Sequence, residues 1–321
     1  MIALAEIEAA RERLAGTVVR TPLVRLEIED APAEIYLKLE NLQPIGSFKL
    51  RGAANALALA SPEELERGVW TASAGNMAQG VAWWAREHGV HCTVVLPESA
   101  PETKIAAIRR LGADMIEVSF DQWHETFRTH EHEGLDGRFV HAFSDDAVMA
   151  GNGTIGLEIL ADLPDADAIV APFGGGGLSC GIASAVRAVS PGCKVYAAEV
   201  ATAAPLAPSL EAGRPVKVAY EPSFVDGIGS PEVFPEMFEL AQELLDGSLV
   251  ASLHDVTAAV RLLVERARVV AEGAGATPVA LALSGAAGTG KVVCVVSGGN
   301  IDASKLSEIL RSREDELAER G

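Results

Sequence analysis

Two short runs, DAIVAPF (167–173) and KVVCVVS (291–297), are almost wholly apolar, and each ends in a glycine-rich turn: GGGG at 174–177 and SGGN at 297–300. A strand that is apolar at nearly every position, rather than at alternate ones, must be covered on both faces. Such runs indicate parallel strands sandwiched between helices. The rest of the 321-residue chain agrees. IYLKLE (35–40), residues 69–73, CTVVLPE (92–98), DMIEVSF (114–120), RFVHAF (138–143) and KVYAAEV (194–200) read as strands. Helical patterns fill 47–60, 78–88, 104–113, a polar stretch to about 134, and then 154–163, 178–189 and 303–320. The Pro- and Gly-rich stretch 201–235 shows little periodicity and is too long for a simple connection, so an ordered functional loop or flap is expected there. The fold class is α/β.

A net charge of −19 repels a phosphate backbone and an anionic membrane surface, so neither nucleic acid nor membrane is an expected partner. No run reaches the ~18 apolar residues of a membrane span, and the N-terminus lacks the basic and apolar regions of a signal peptide. Cys92, Cys180, Cys193 and Cys294 form no CxxC pair. A reducing cytoplasm is therefore the expected location, without a disulfide framework or structural zinc. His130, Glu131, His132 and Glu133 have ligand chemistry, but residues two apart on a helix do not share a face, so a solvated helix face is expected. Trp83 and Trp84 are expected in and beside the core, and Cys180 as a small buried hydrophobe.

Open α/β sheets bind ligands beyond the carboxyl ends of their strands. Three such ends are stripped of bulk: SAGN (73–76), GGGG (174–177) and SGGN (297–300). Four successive glycines before a helix expose backbone N–H groups to a phosphate dianion. No acidic residue follows suitably about 20 positions on, Glu199 being only a loose candidate, and no Lys-Ser or Lys-Thr follows the glycines. Neither a dinucleotide fingerprint nor a Walker loop is present.

The segment LKLENLQPIGSFKLRGA (37–53) is followed in order by SAGNMAQGVA (73–82), LPESAPETKIAAIRRLGA (96–113), HAFSDDAVMAGNGT (141–154), GGGGLSCGIA (174–183), AEGAGA (271–276) and SGGN (297–300). This series, spanning nearly the whole chain, resembles the fold type II pyridoxal-phosphate enzymes, which are tryptophan synthase β-like, and among them the serine/threonine dehydratase and serine racemase family. The resemblance implies two domains, each with a central, mostly parallel sheet flanked by helices: residues 1–54 plus 144–321 as a large cofactor-binding domain, and 55–143 as a small substrate-loop domain. It implies pyridoxal 5'-phosphate as cofactor and Lys49 as the lysine that binds it as a Schiff base. Lys49 alone among seven lysines follows Ser-Phe. Phe48 matches the aromatic beside the ring, and Gly174, Gly175, Gly176, Gly177 and Leu178 match the phosphate cradle. Asn76 matches the partner of the phenolic oxygen, Glu272 an acidic residue near the ring, and Ser297 the partner of the ring nitrogen. Ser73, Ala74, Gly75, Asn76 and Met77 match the loop that grips the substrate carboxylate. Taken without the resemblance, Asn76 and Glu272 can equally cap helices, Ser297 can be a turn serine and Phe48 plain core.

The implied activity is an ammonia-lyase that eliminates the β-hydroxyl of threonine or serine, leaving a 2-oxo acid and ammonia, with Lys49 taking the α-proton. A neutral hydroxyl at Ser297 makes the ring a weaker electron sink than an aspartate would, which favours prompt elimination. Met77 replaces the family's usual histidine, and a thioether donates no hydrogen bond. This brings in bulkier 3-substituted serines, of 3-aryl or 3-hydroxyaspartate type, as alternative substrates. Ala74 stands where the racemases carry a serine acid; alanine transfers no proton, so racemase activity should be weak. Glu199 matches a metal ligand of part of the family, but Pro205 stands where a second carboxylate belongs, and no metal is expected. A β-replacement synthase, and outside catalysis a silent amino-acid sensor or cofactor carrier, are the remaining alternatives. The resemblance also implies a small-molecule amino-acid substrate and a homo-oligomer, dimer or tetramer. The effector domain of the family's regulated biosynthetic members is not expected, because the chain runs about one helix beyond SGGN.

Overall fold

A computed structural model describes residues 1–318, with side chains described as far as Arg311. In chain order the strands are β1 (Leu23–Arg25), β2 (Glu34–Leu39), β3 (Val69–Ala72), β4 (Cys92–Pro97), β5 (Asp114–Val118), β6 (Arg138–Phe139), β7 (Ala168–Pro172), β8 (Lys194–Val200), β9 (Gly247–Ala251) and β10 (Lys291–Val296). They form two sheets. The larger has the order β1-β2-β10-β7-β8-β9 and is parallel except for β1, which runs antiparallel to β2. The smaller, β5-β4-β3-β6, is wholly parallel.

The apolar runs are explained by burial on both sides. Along β10, Val293 and Val295 join an apolar layer with Ile155, Ile182 and Phe238, while Val292, Cys294 and Val296 join the opposite layer with Val256 and Val279. Side chains alternate between faces, and both faces are dry. The core of the smaller sheet includes Val69, Val94 and Leu96 together with Leu50, Ala53 and Leu57 of the helix Lys49–Leu57. That helix therefore links the two halves: it follows β2 in the chain and packs with the smaller sheet.

Local structure departs from the sequence-based expectation in identifiable ways. The polar helix is Phe120–Thr129 and stops at His130, which adopts φ 62°. Residues 130–133 therefore lie in a turn rather than on a helix face, with His132 bridged to Leu135. The expected strand 138–143 is reduced to β6, because His141 Nδ1 accepts the backbone N–H groups of Phe143 and Ser144 and bends the chain. The helix expected at 154–163 begins at Asp146, since Asp145 Oδ1 accepts the N–H groups of Ala147 and Val148. Within 201–235 lies a helix, Leu206–Ala212, where a loop was expected. The helices Pro235–Leu244, Leu253–Leu262 and Gly273–Leu283 and the strands β1 and β9 had no clear sequence signal. The helix Ala303–Ala318 covers the expected terminal helix; residues 319 and 320 lie outside the described residues.

The segment 37–53 is held by a buried charged network. Arg51 donates from Nε and Nη2 to Glu40, at 2.8 Å each, and from Nη1 and Nη2 to Glu158 at 2.7 and 2.9 Å. Lys38 Nζ donates to Glu158 at 2.5 Å and to the Thr21 carbonyl at 2.7 Å, while Thr21 Oγ1 and Gln43 Nε2 donate to Glu40. Burial alone would push the Glu40 carboxyl up; the Arg51 guanidinium outweighs it and holds Glu40 below the usual carboxylate range. Removing one partner from such a set leaves an uncompensated buried charge. Arg51→Ala should lower unfolding stability by about 3–5 kcal/mol, measured by urea denaturation. A loss under about 1 kcal/mol would show the network to be dispensable.

Candidate active site

Lys49 opens the helix Lys49–Leu57 directly after Phe48, and the Phe48 backbone N–H donates to the Ser297 carbonyl at 2.9 Å. Ser47 pairs with Gly298 in an antiparallel bridge. The SFK and SGGN segments, some 250 positions apart in the chain, are thus stitched together. The partly buried Lys49 donates from Nζ to the Ala142 carbonyl at 2.6 Å, and its amine lies 5.1 Å from the centre of the Phe48 ring. Burial lowers its pKa to about 8, against an opposing pull from Glu272.

The neighbour of Ala142, Phe143, lies against the glycine turn. A Cβ on Gly175 would overlap the Phe143 ring, and one on Gly177 would come 2.7 Å from the Phe143 carbonyl oxygen. Gly176, at φ 93°, requires the left-handed region. The glycines are therefore needed for close approach as well as for the turn. The helix Gly177–Val189 begins here with no side-chain cap, and no backbone N–H from Gly174 to Leu178 donates to an acceptor among the described residues. A helix start with open donors, at the end of a central strand, suits a phosphate dianion.

The SAGN loop is similar. The helix Asn76–His88 starts without a side-chain cap. Asn76, the expected alternative cap, instead donates from Nδ2 to the Glu272 carboxylate oxygens at 3.0 and 3.3 Å. Glu272 precedes the helix Gly273–Leu283 but its side chain does not cap it. Burial raises Glu272 to about 7, with the Asn76 hydrogen bond pulling the other way. Ser73 Oγ accepts the Gly75 N–H at 3.2 Å, and Ala74 packs at the edge of the smaller core. Met77 is only 1 % exposed and belongs to the apolar cluster of Leu50, Val81 and Val148. Its thioether is a core group, which leaves its backbone N–H as what it can offer a carboxylate. Ser297 and Leu178 are buried.

The Glu199 carboxylate is engaged within the protein. It accepts the N–H groups of Leu206 and Ala207 at 2.8 and 2.9 Å and the Ser248 hydroxyl at 2.6 Å, so it anchors the start of the helix Leu206–Ala212. Among the described residues no group of three or more His, Cys, Asp or Glu could hold a metal ion. Two further site residues lie inside the quoted segments, SGGN and HAFSDDAVMAGNGT, but had no role assigned from sequence. Asn300 donates to Asn76 Oδ1 at 2.8 Å. His141 is buried with its pKa lowered to about 3, by burial first and then by His130 and Lys49, so its ring is neutral.

Residues 14–298 match the model of the pyridoxal-phosphate-dependent enzymes. The chain belongs to that family. The L-threonine ammonia-lyase of Thermotoga maritima is 43% identical over 316 residues, covering 97% of this chain and 78% of that protein. The catabolic L-threonine dehydratase of Escherichia coli K12 is 36% identical over 316 residues, 96% of each chain. The structure of maize serine racemase superposes with a TM-score of 0.89 at 28% identity, covering 99% of this chain and all of that one. As a family member the chain uses pyridoxal phosphate, and its residues fit that group: an amine of lowered pKa at Lys49 and, after four glycines, a helix start with no side-chain cap.

Only the neutral amine attacks an aldehyde. The rate of cofactor capture by the apoprotein should therefore rise with pH toward about 8 and level off above it, followed by stopped-flow absorbance. A rate still climbing at pH 10 would mean an ordinary, solvated lysine.

Proposed function

We propose that this chain is a pyridoxal-phosphate-dependent ammonia-lyase that removes the β-hydroxyl of a threonine- or serine-like amino acid and yields a 2-oxo acid and ammonia. One observation carries the reading. The Lys49 amine, its pKa lowered by burial to about 8, donates to the Ala142 carbonyl, and the neighbouring Phe143 packs on the open glycine turn.

Bound pyridoxal phosphate supplies an aldehyde that captures amines and a conjugated ring that draws electrons from a substrate's α-carbon. The residues do the rest. Lys49 would hold the cofactor, and its free amine would remove the substrate's α-proton. The N–H groups of Gly174, Gly175, Gly176, Gly177 and Leu178 would receive the phosphate, and the Asn76 amide would donate to the phenolic oxygen. Phe48 would flank the ring, and Glu272 would lie near it. Ser297 offers the ring nitrogen a neutral hydroxyl, which favours elimination over longer-lived chemistry. The backbone of Ser73, Ala74, Gly75, Asn76 and Met77 takes the substrate carboxylate. Ala74 has no proton for the opposite face, which separates this chain from a racemase despite the structural likeness to one.

With Met77 committed to the core, threonine and serine are favoured over bulkier 3-substituted serines. We further assign residues 55–143 to a small domain and 1–54 plus 144–321 to a large one; all strands of the smaller sheet fall between 69 and 139. A cytoplasmic location fits four free, buried cysteines. A dimer or tetramer is the expected assembly.

A panel of β-hydroxy amino acids tests the reading. Threonine and serine should release ammonia and 2-oxo acid in equal amounts, and Lys49→Ala should lose at least ~10³-fold in rate. No ammonia from any member would overturn it. A new amino acid formed on adding sulfide would make the chain a β-replacement synthase.

A further inference from the structure

Asn300 closes the SGGN segment 224 positions from Asn76, and the fold brings the two amides into contact. Asn300 Nδ2 donates to the Ile45 carbonyl oxygen at 2.9 Å and to Asn76 Oδ1 at 2.8 Å. Asn76 Nδ2 in turn donates to the Glu272 carboxylate. The relay is directional because acceptors stand at both ends. A backbone carbonyl only accepts, so the atom of Asn300 facing Ile45 is Nδ2, and the group it meets on Asn76 must be the oxygen. Asn76 therefore turns its NH2 group to the Glu272 side.

The seat of Asn300 is shaped for it. Gly46, at φ 73°, lies beneath the amide, and a Cβ there would come 2.7 Å from Asn300 Oδ1. The Gly299 N–H donates to the Gly46 carbonyl at 2.9 Å, which fixes SGGN to the segment ahead of SFK.

We propose that Asn300 is a positioning residue: its hydrogen bond to Asn76 Oδ1 holds the Asn76 amide with the NH2 group available to the phenolic oxygen of pyridoxal phosphate. The inference rests on the assignment of Asn76 as donor to that oxygen. A phenolate oxygen accepts hydrogen bonds, whereas an amide oxygen turned toward it repels it. A rotated Asn76 would thus replace an attraction with a repulsion, with no change of residue at position 76.

The test uses Asn300→Ala, Asn300→Asp, Asn76→Ala and the double variant Asn76→Ala/Asn300→Ala. Each is titrated with pyridoxal phosphate for Kd, and the bound cofactor's visible and near-ultraviolet absorbance bands are compared at one pH. Melting of the apoproteins confirms that each variant folds. Asn300→Ala should weaken Kd about tenfold and lower the visible share about tenfold, the scale of a hydrogen bond lost from a charged oxygen. Asn300→Asp should do at least as much, because a carboxylate attracts the Asn76 NH2 group away. In the Asn76→Ala background, removing Asn300 should change neither quantity. Additive effects of the two substitutions, or an unchanged Kd and spectrum in Asn300→Ala, would overturn the inference and leave the cofactor assignment intact. A wild-type protein with no visible band would overturn both.

Discussion

The site depends on a guanidinium shared between two carboxylates. Arg51 joins Glu40, just after β2, to Glu158 on the helix Asp146–Asp162, and Lys38 and Gln43 complete the set. Buried ion pairs need not add stability over well-packed apolar groups, but they tolerate few alternative arrangements. Residues two apart on a helix point to different sides, so the anchoring of Arg51 in the network turns Lys49 away from it, toward Ala142. The charged letters of LKLENLQPIGSFKLRGA are largely scaffolding for one lysine.

Around that lysine the protein leaves donors open and ionisable groups shifted. Two 13-residue helices, Asn76–His88 and Gly177–Val189, begin without side-chain caps. Each is a ready anion site, one for a carboxylate and one for a phosphate. The same burial that lowers Lys49 to about 8 raises Glu272 to about 7, so base and carboxyl converge on neutral pH. The anchoring of SGGN to the SFK segment ties the parts together, through Phe48 with Ser297 and Gly46 with Gly299.

Much of this was legible in the chain. Apolar runs ending in glycine pointed to parallel strands, and motif order singled out Lys49, the glycine turn and Asn76, which the fold brings close to SGGN or to one another. What escaped did so for physical reasons. The helix Gly273–Leu283 is buried on nearly every side, so it shows no amphipathic period. The turn at 130–133 follows a left-handed histidine, a conformation that helical periodicity does not report. Glu199 has the chemistry of a metal ligand, and only the nearness of a helix start makes it a cap.

By itself the sequence determined the α/β class, the doubly covered strands and the residues able to do the chemistry, because burial and backbone freedom are written in local composition and spacing. Tertiary structure alone decided what those residues do for one another: that Asn76 and Glu272 bond each other rather than capping their helices, that Met77 serves the core, and that Asn300 reaches Asn76. A hydrogen bond between positions some two hundred residues apart leaves no mark on either neighbourhood, and it exists only once the fold has brought the two segments together.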